Sequence, residues 1–249
     1  MAPAAQSDQK ALEQVVERAL ALAHAGGATA AEAAVGESTG LSVTVRLGEV
    51  ETLEYQRDRS LGVTVYSGQR KGSASTANLT PAAVEETIRK ALSIASFTAD
   101  DEYAGLPDSE LMAGHLPDLD LSHPWELEAS QAVELARRCE AAGLAHDARI
   151  KNSEGASVAT HRKLRVFGNS HGFIGGYPST SHSVSCVVLG QQDGDMQRDY
   201  WYTAARDWRA LEDVESVGRK AADKAVRRLG ADKITTRKAP VLFAPELAR

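Results

Sequence analysis

The stretch of this chain nearest to a catalytic signature is Gly168-Asn169-Ser170-His171-Gly172, which matches the G-x-S-x-G pattern of a serine nucleophile elbow. That elbow works because a strand, a strained turn and a helix hold the serine above the sheet. Leu164 to Phe167 supplies the strand, but Phe173-Ile174-Gly175-Gly176-Tyr177-Pro178 cannot form the helix, so the turn is expected to join two antiparallel strands. The seven histidines, His24, His115, His123, His146, His161, His171 and His182, include no pair spaced along one helical face with a glutamate beside the first, as a zinc peptidase helix requires. The two cysteines, Cys139 and Cys186, have no C-x-x-C partner and read as small core residues of a protein from a reducing compartment. The carboxylates of Asp100-Asp101-Glu102 and of Asp193 with Asp195 lie in turn-like stretches, where capping and solvation explain them.

A different chemistry, the binding of polypeptide backbone, is open to the glycine-rich stretch. Glycine in a strand marks a bulge or a close approach of another backbone. A peptide that adds to a sheet edge needs such an approach. Gly168, Asn169, His171, Gly175 and Gly176 are therefore the candidate peptide contacts. Tyr200, Trp201, Tyr202 and Trp208 cluster near one strand, which suits core packing first, then a peptide-binding wall or a subunit contact.

The elements that must position these residues emerge from periodicity. Leu12, Val15, Val16, Ala19, Leu20 and Ala23 fall on one face of a first helix, with Ser7 or Asp8 as its cap and Gly26-Gly27 as its end. Strand-like runs come next at Leu41–Leu47, Leu61–Val65 and Lys71–Thr76, separated by turn chemistry at Ser38-Thr39-Gly40, Leu47-Gly48-Glu49 and Ser67-Gly68-Gln69. Thr80-Pro81 opens a second helix. Residues 99–125, with Pro107, Pro117, Pro124 and many aspartates, read as a long linker. The pattern then starts again: a helix through Ala132, Ala136 and Cys139, strand runs between Ser157 and Ala204, and a closing helix through Val214, Val217, Ala221 and Ala225. Asn152-Ser153-Glu154-Gly155, Gly168-Asn169-Ser170 and Asp193-Gly194-Asp195 read as the turns.

The expected fold is α+β, with two similar helix–antiparallel-sheet–helix units, each of about five strands, whose helices pack on one sheet face. The units span residues 1–98 and 126–232, joined by the linker 99–125, and residues 233–249 read as the truncated start of a C-terminal domain. The chain has 249 residues and a formal net charge of -6 without a basic footprint, which speaks against nucleic acid as a partner. It holds no apolar run long enough to cross a bilayer and no signal-peptide pattern at its start, so a cytoplasmic protein is expected.

Several long runs resemble the PmbA/TldE family. They are LGVTVYSGQRKGSAST from Leu61, PDLDLSHPWE from Pro117, KNSEGASVATHRKLRVFGNSHGF from Lys151, DGDMQRDYWYT from Asp193 and TTRKAPVLFAPELA from Thr235. The resemblance implies a component of a TldD–TldE-type cytosolic metalloprotease that acts on unfolded peptides. It pairs with a TldD-like catalytic subunit, which carries zinc on an H-E-x-x-x-H helix. No position here matches that motif, so the resemblance implies a non-catalytic subunit that helps enclose the substrate chamber and binds no cofactor itself. The other function that the resemblance offers is a non-enzymatic interaction module of the gyrase-inhibition-modulator type.

Overall fold

The computed structural model describes residues 3–244 and 247, and side chains from residue 8 onward. Helix α1 (Pro3–Ala25) leads into strands β1 (Ala30–Arg46), β2 (Glu49–Ser67) and β3 (Arg70–Thr76), and then into helix α2 (Pro81–Phe97). After a long connection come α3 (Ala129–His146), β4 (Ile150–Asn169), β5 (Ile174–Gln192), β6 (Asp195–Ala205) and α4 (Val214–Arg227). The order α-β-β-β-α thus occurs twice, in an α+β fold. The two sheets expected from the sequence are one. β1 pairs antiparallel with β4 at its centre, and the strand order is β3-β2-β1-β4-β5-β6.

The strands are also fewer and longer than the turn signals suggested. Ser38-Thr39-Gly40 lies inside β1, paired on both sides. Ser153-Glu154-Gly155 is a bulge inside β4 rather than a turn: the register with β5 shifts between Ser153 and Gly155, and Gly155 takes φ 109°. Gly168 and Asn169 still belong to β4, so the reversal begins at Ser170. The true reversals are tight. Leu47 and Gly48, with φ 51° and 81°, turn β1 into β2, a conformation in which glycine meets no side-chain penalty.

Burial alternates along β1. Ala31, Ala33 and Val35, and then Leu41, Val43 and Val45, are buried, while the residues between them are not. All six share one parity, so both sets point to the same face, and all four helices lie there. Val16, Ala19 and Ala23 of α1 and Val84, Ile88 and Ala91 of α2 pack with Val35, Leu61, Val65 and Val166. Ala132, Ala136 and Cys139 of α3 and Val217, Ala221 and Ala225 of α4 pack with Val43, Val158, Val184 and Cys186. Each fully buried valine or leucine contributes about 1.5–3 kcal/mol of transfer free energy. Helix α1 starts at Pro3, so Asp8 lies within it; the Ser7 side chain is outside the described residues. Residues 231–244 form no helix or strand, and Val241, Leu242 and Phe243 among them are exposed.

Candidate functional site

The five candidate peptide contacts gather at one corner, where β4 turns into β5. Gly168 faces α1: a Cβ there would sit 2.7 Å from Val16 Cγ1. Asn169 is buried; its Oδ1 accepts from the His171 backbone N–H at 3.1 Å, and its Nδ2 lies 3.5 Å from Met112 Sδ. A Cβ on Gly175 would meet Leu116 Cδ1 at 2.4 Å, and one on Gly176 would meet the Arg165 carbonyl at 2.6 Å. The close approaches made by Gly168, Gly175 and Gly176 are therefore to α1, to Leu116 and to β4. His171 is exposed. Ser170 is tied to β1, with its Oγ accepting from Ala31 N–H at 3.0 Å and its N–H donating to Ala31 O at 2.8 Å. Strand β5 comes directly after the turn, and the helix of a nucleophile elbow is absent here.

Met112 and Leu116 belong to the connection between the halves, which acts as a strap over the second half. Thr180 fastens it. The Thr180 N–H donates to Leu121 O at 2.9 Å, and its hydroxyl accepts from His123 N–H at 2.9 Å while donating to Arg206 O at 2.7 Å. His182, fully buried on the helix side, holds the next turn of the strap. Its Nε2–H donates to the His123 carbonyl at 2.9 Å, which leaves Nδ1 to accept from the Thr160 hydroxyl at 2.9 Å. Trp125 lies edge-on to His182 and stacks on Trp208, centroids 5.6 Å apart and planes 11° apart. Beside the two indoles is a groove of about 750 Å³ lined by Pro124, Leu127, Glu134 and Leu135.

Among the described residues, the face of the sheet opposite the helices has no helix over it. Gly36, Ser38, Gly40, Ser42 and Thr44 of β1 lie there, as do Ser157, Ala159 and His161 of β4 and Ser179, Ser181, Ser183 and Ser185 of β5. Thr44 and Ser157 share a hydrogen bond across the strands at 2.8 Å. His161 lies against Gly40, where a Cβ would come 2.2 Å from its Nδ1. Burial, then the charge of Lys163, holds the His161 pKa below its usual 6.5, so the ring is neutral at neutral pH. The aromatic cluster divides between the faces, as period two requires. Trp201 points to the helices, with Lys220 and Lys224 over its ring, whereas Tyr200 and Tyr202 stack together, partly exposed.

Among the described residues no three His, Cys, Asp or Glu side chains stand close enough to hold a metal ion. Cys139 and Cys186 are buried in the second core cluster. A hydrogen bond with the Cys186 thiol, reinforced by burial, pushes the Cys139 thiol far above the ordinary range, which denies it the thiolate a nucleophile needs. Among the described residues no helix is long and apolar enough to cross a membrane.

Residues 31–95 match the model of PmbA/TldA metallopeptidase domain 1, and residues 122–229 match that of the PmbA/TldA metallopeptidase central domain. The chain belongs to this family. It is 48% identical over 243 residues to Metalloprotease PmbA of Escherichia coli O157:H7, covering 98% of this chain and 54% of that protein. It is 42% identical over 242 residues to a Metalloprotease PmbA homolog of Haemophilus influenzae, covering 97% and 53%. The chain thus spans about half the length of the curated relatives it matches. A crystal structure of a candidate modulator of DNA gyrase from Bacteroides thetaiotaomicron superposes with a TM-score of 0.81 at 26% identity, over 89% of this chain and 51% of that one. TldE from Thermococcus kodakarensis shares the fold, with a TM-score of 0.69 over 84% and 47% of the two chains.

Within this PmbA/TldA family chain, periodicity does not reveal the importance of Trp125, His182 and Glu140. Glu140 is 1% exposed on α3, and its two carboxylate oxygens accept from the N–H groups of Leu47 and Gly48 at 2.8 and 2.9 Å. A charged residue inside an apolar helical stripe, as Glu140 is beside Ala136 and Cys139, is the one sequence signal by which it could have been found.

Proposed function

We propose that the protein to which this chain belongs is a component of a TldD–TldE-type metalloprotease that degrades unfolded peptides in the cytoplasm. This chain forms part of the non-catalytic subunit and lines the substrate chamber, while a TldD-like partner holds the zinc. The reading is carried by the match of both halves to metallopeptidase domains, taken with the 48% and 42% identity to Metalloprotease PmbA and its homolog. The helix-free sheet face suits such a lining: small hydroxyl and glycine residues allow a polypeptide backbone to come close without a large side chain in the way. The corner of Gly168, Asn169, His171, Gly175 and Gly176 is a second candidate contact, with His171 as its exposed group.

The test mixes the full-length protein with a TldD-like subunit and zinc and monitors cleavage of an unfolded peptide. Cleavage is expected from the mixture and not from the full-length protein alone. Zinc-dependent cleavage by this chain alone, lost on His171→Ala, would overturn the assignment. A non-enzymatic interaction module is the second reading, favoured by the likeness to the candidate gyrase modulator. It prevails if the full-length protein binds a TldD-like subunit without any gain of peptidase activity.

A further inference from the structure

The two halves of the sheet finish their edges differently. Strand β2 runs from Glu49 to Ser67, yet β3 pairs only with Leu61–Ser67. Residues 49–60 have β1 on one side and, among the described residues, no strand on the other. In the second half β6 likewise pairs only with the later part of β5, from His182 onward. There the earlier part of β5 is not bare. The strap covers it, with Leu121 O bonded to Thr180 N–H and Leu116 lying over Gly175. The molecule therefore roofs one of its two equivalent edges with an extended segment and leaves the other as a row of ladder positions facing solvent.

That bare edge carries a pattern. Register with β1 puts Val50, Leu53 and Tyr55 on the helix side, and they are 42%, 44% and 70% exposed. The same register puts Glu54 and Asp58 on the other side, opposite Ser42 and Ser38. On the helix side, the guanidinium of Arg59 is already engaged by Glu37 at 2.6 Å. An open edge offers backbone pairing to any extended chain, and the flanking side chains choose among chains. Two edges of this kind meeting each other could bring acidic side chains together, whereas a basic strand would neutralise them.

We propose that residues 49–60 of β2 take up an extended segment of a partner protein as an added strand, with apolar side chains toward Val50, Leu53 and Tyr55 and basic ones toward Glu54 and Asp58. The added strand continues the line of β3 and extends the outer row of the sheet toward the β1–β2 turn.

The test uses the 249-residue chain and a synthetic ten-residue peptide of alternating valine and lysine, read by amide hydrogen exchange. The expected result is slowing of exchange within residues 49–60 by about tenfold or more, with the edge of β6 unchanged. A valine–glutamate peptide is expected to bind at least about tenfold more weakly, through like-charge repulsion alongside Glu54 and Asp58. A valine–lysine peptide with its pairing amides N-methylated is expected to give no protection. In the double variant Glu54→Lys with Asp58→Lys, checked for an unchanged thermal transition, the preference between the two peptides is expected to reverse. Protection that survives N-methylation, or that falls elsewhere, overturns the proposal. So does protection of residues 49–60 that appears without peptide and vanishes on dilution, because the occupant would then be a second copy of this chain. None of these readouts depends on peptidase activity, so their failure leaves the protease assignment standing.

Discussion

The two halves repeat the same element order and yet are secured in different ways. In the second half α3 and α4 pack closely against each other, with Gly143 and Gly218 at the contact: a Cβ on Gly218 would fall 2.0 Å from the Cys139 carbonyl. In the first half α1 and α2 scarcely meet, and the close approach is between β3 and α2, where a Cβ on Gly72 would fall 2.1 Å from the Ala91 carbonyl. The second half also receives the strap, with its Thr180, His182 and Trp125 fastenings, while the first half keeps an uncovered edge. The difference shows that a repeated topology does not dictate a repeated surface. The path of the connecting segment decides which edge is closed.

The contrast between the halves breaks most sharply where one half fastens the other. Glu140 of α3 holds the β1–β2 turn, and Glu140→Ala leaves two backbone donors without their carboxylate. A loss of roughly 2–4 kcal/mol is expected, since a hydrogen bond to a charged group contributes about 1.5–3 kcal/mol and water at the exposed Leu47–Gly48 turn offsets part of the loss. Chemical denaturation measures it, and a loss under about 1 kcal/mol would mean that water replaces the carboxylate at little cost. Trp125→Ala removes the indole between His182 and Trp208 and is expected to cost about 2–4 kcal/mol, with faster amide exchange in residues 112–125. If exchange in the strap does not change, the hydrogen bonds of Thr180 and His182 secure it without the indole.

Gly218→Ala forces α4 away from α3, and overpacking of this kind costs roughly 1–3 kcal/mol. The corresponding control, Gly62→Ala, adds a methyl where nothing lies within 4 Å and is expected to leave the melting temperature nearly unchanged. Equal effects would erase the distinction between the packed and open faces. Asp207, which bridges to His123 of the strap, is held to about 2, below the usual 3.8, chiefly by hydrogen bonds from the Arg209 side chain. A carboxylate depressed in the folded state contributes stability that is present above its unfolded value and lost as the pH falls through its folded one. Stability should therefore decline as the pH falls from about 4 toward 2, and Asp207→Asn should flatten that decline in acid melts. The smallest effect is expected at the bare edge, where Tyr55→Thr should stay within about 0.5 kcal/mol because that side chain is 70% exposed.

Much of this was legible in the sequence, though unevenly. The helices were readable because their apolar residues recur at helical spacing, as at Val16, Ala19 and Ala23. The tight turns at Gly48, Gly68 and Gly194 were readable because positive φ calls for glycine. The strand lengths were misread for an equally physical reason. Ser38 and Gly40 look like turn residues, yet they occupy the helix-free face of a continuous strand, where no large side chain is required. The same small-residue bias hid the bulge at Gly155, and it gave no sign that the close approaches at Gly168, Gly175 and Gly176 are made to α1, Leu116 and β4.

Family membership and the α+β class rest on the linear order of residues, because periodicity and long specific runs survive without knowledge of contacts. The pairing of β1 with β4 that merges two units into one sheet, the strap that closes one edge, and the capture of the Leu47–Gly48 turn by Glu140 were set by the tertiary structure. Each joins residues far apart along the chain: at the centre of the sheet, where the strap crosses from one unit to the other, or between α3 and the β1–β2 turn. Local spacing carries no information about such meetings, which depend on which apolar faces find one another.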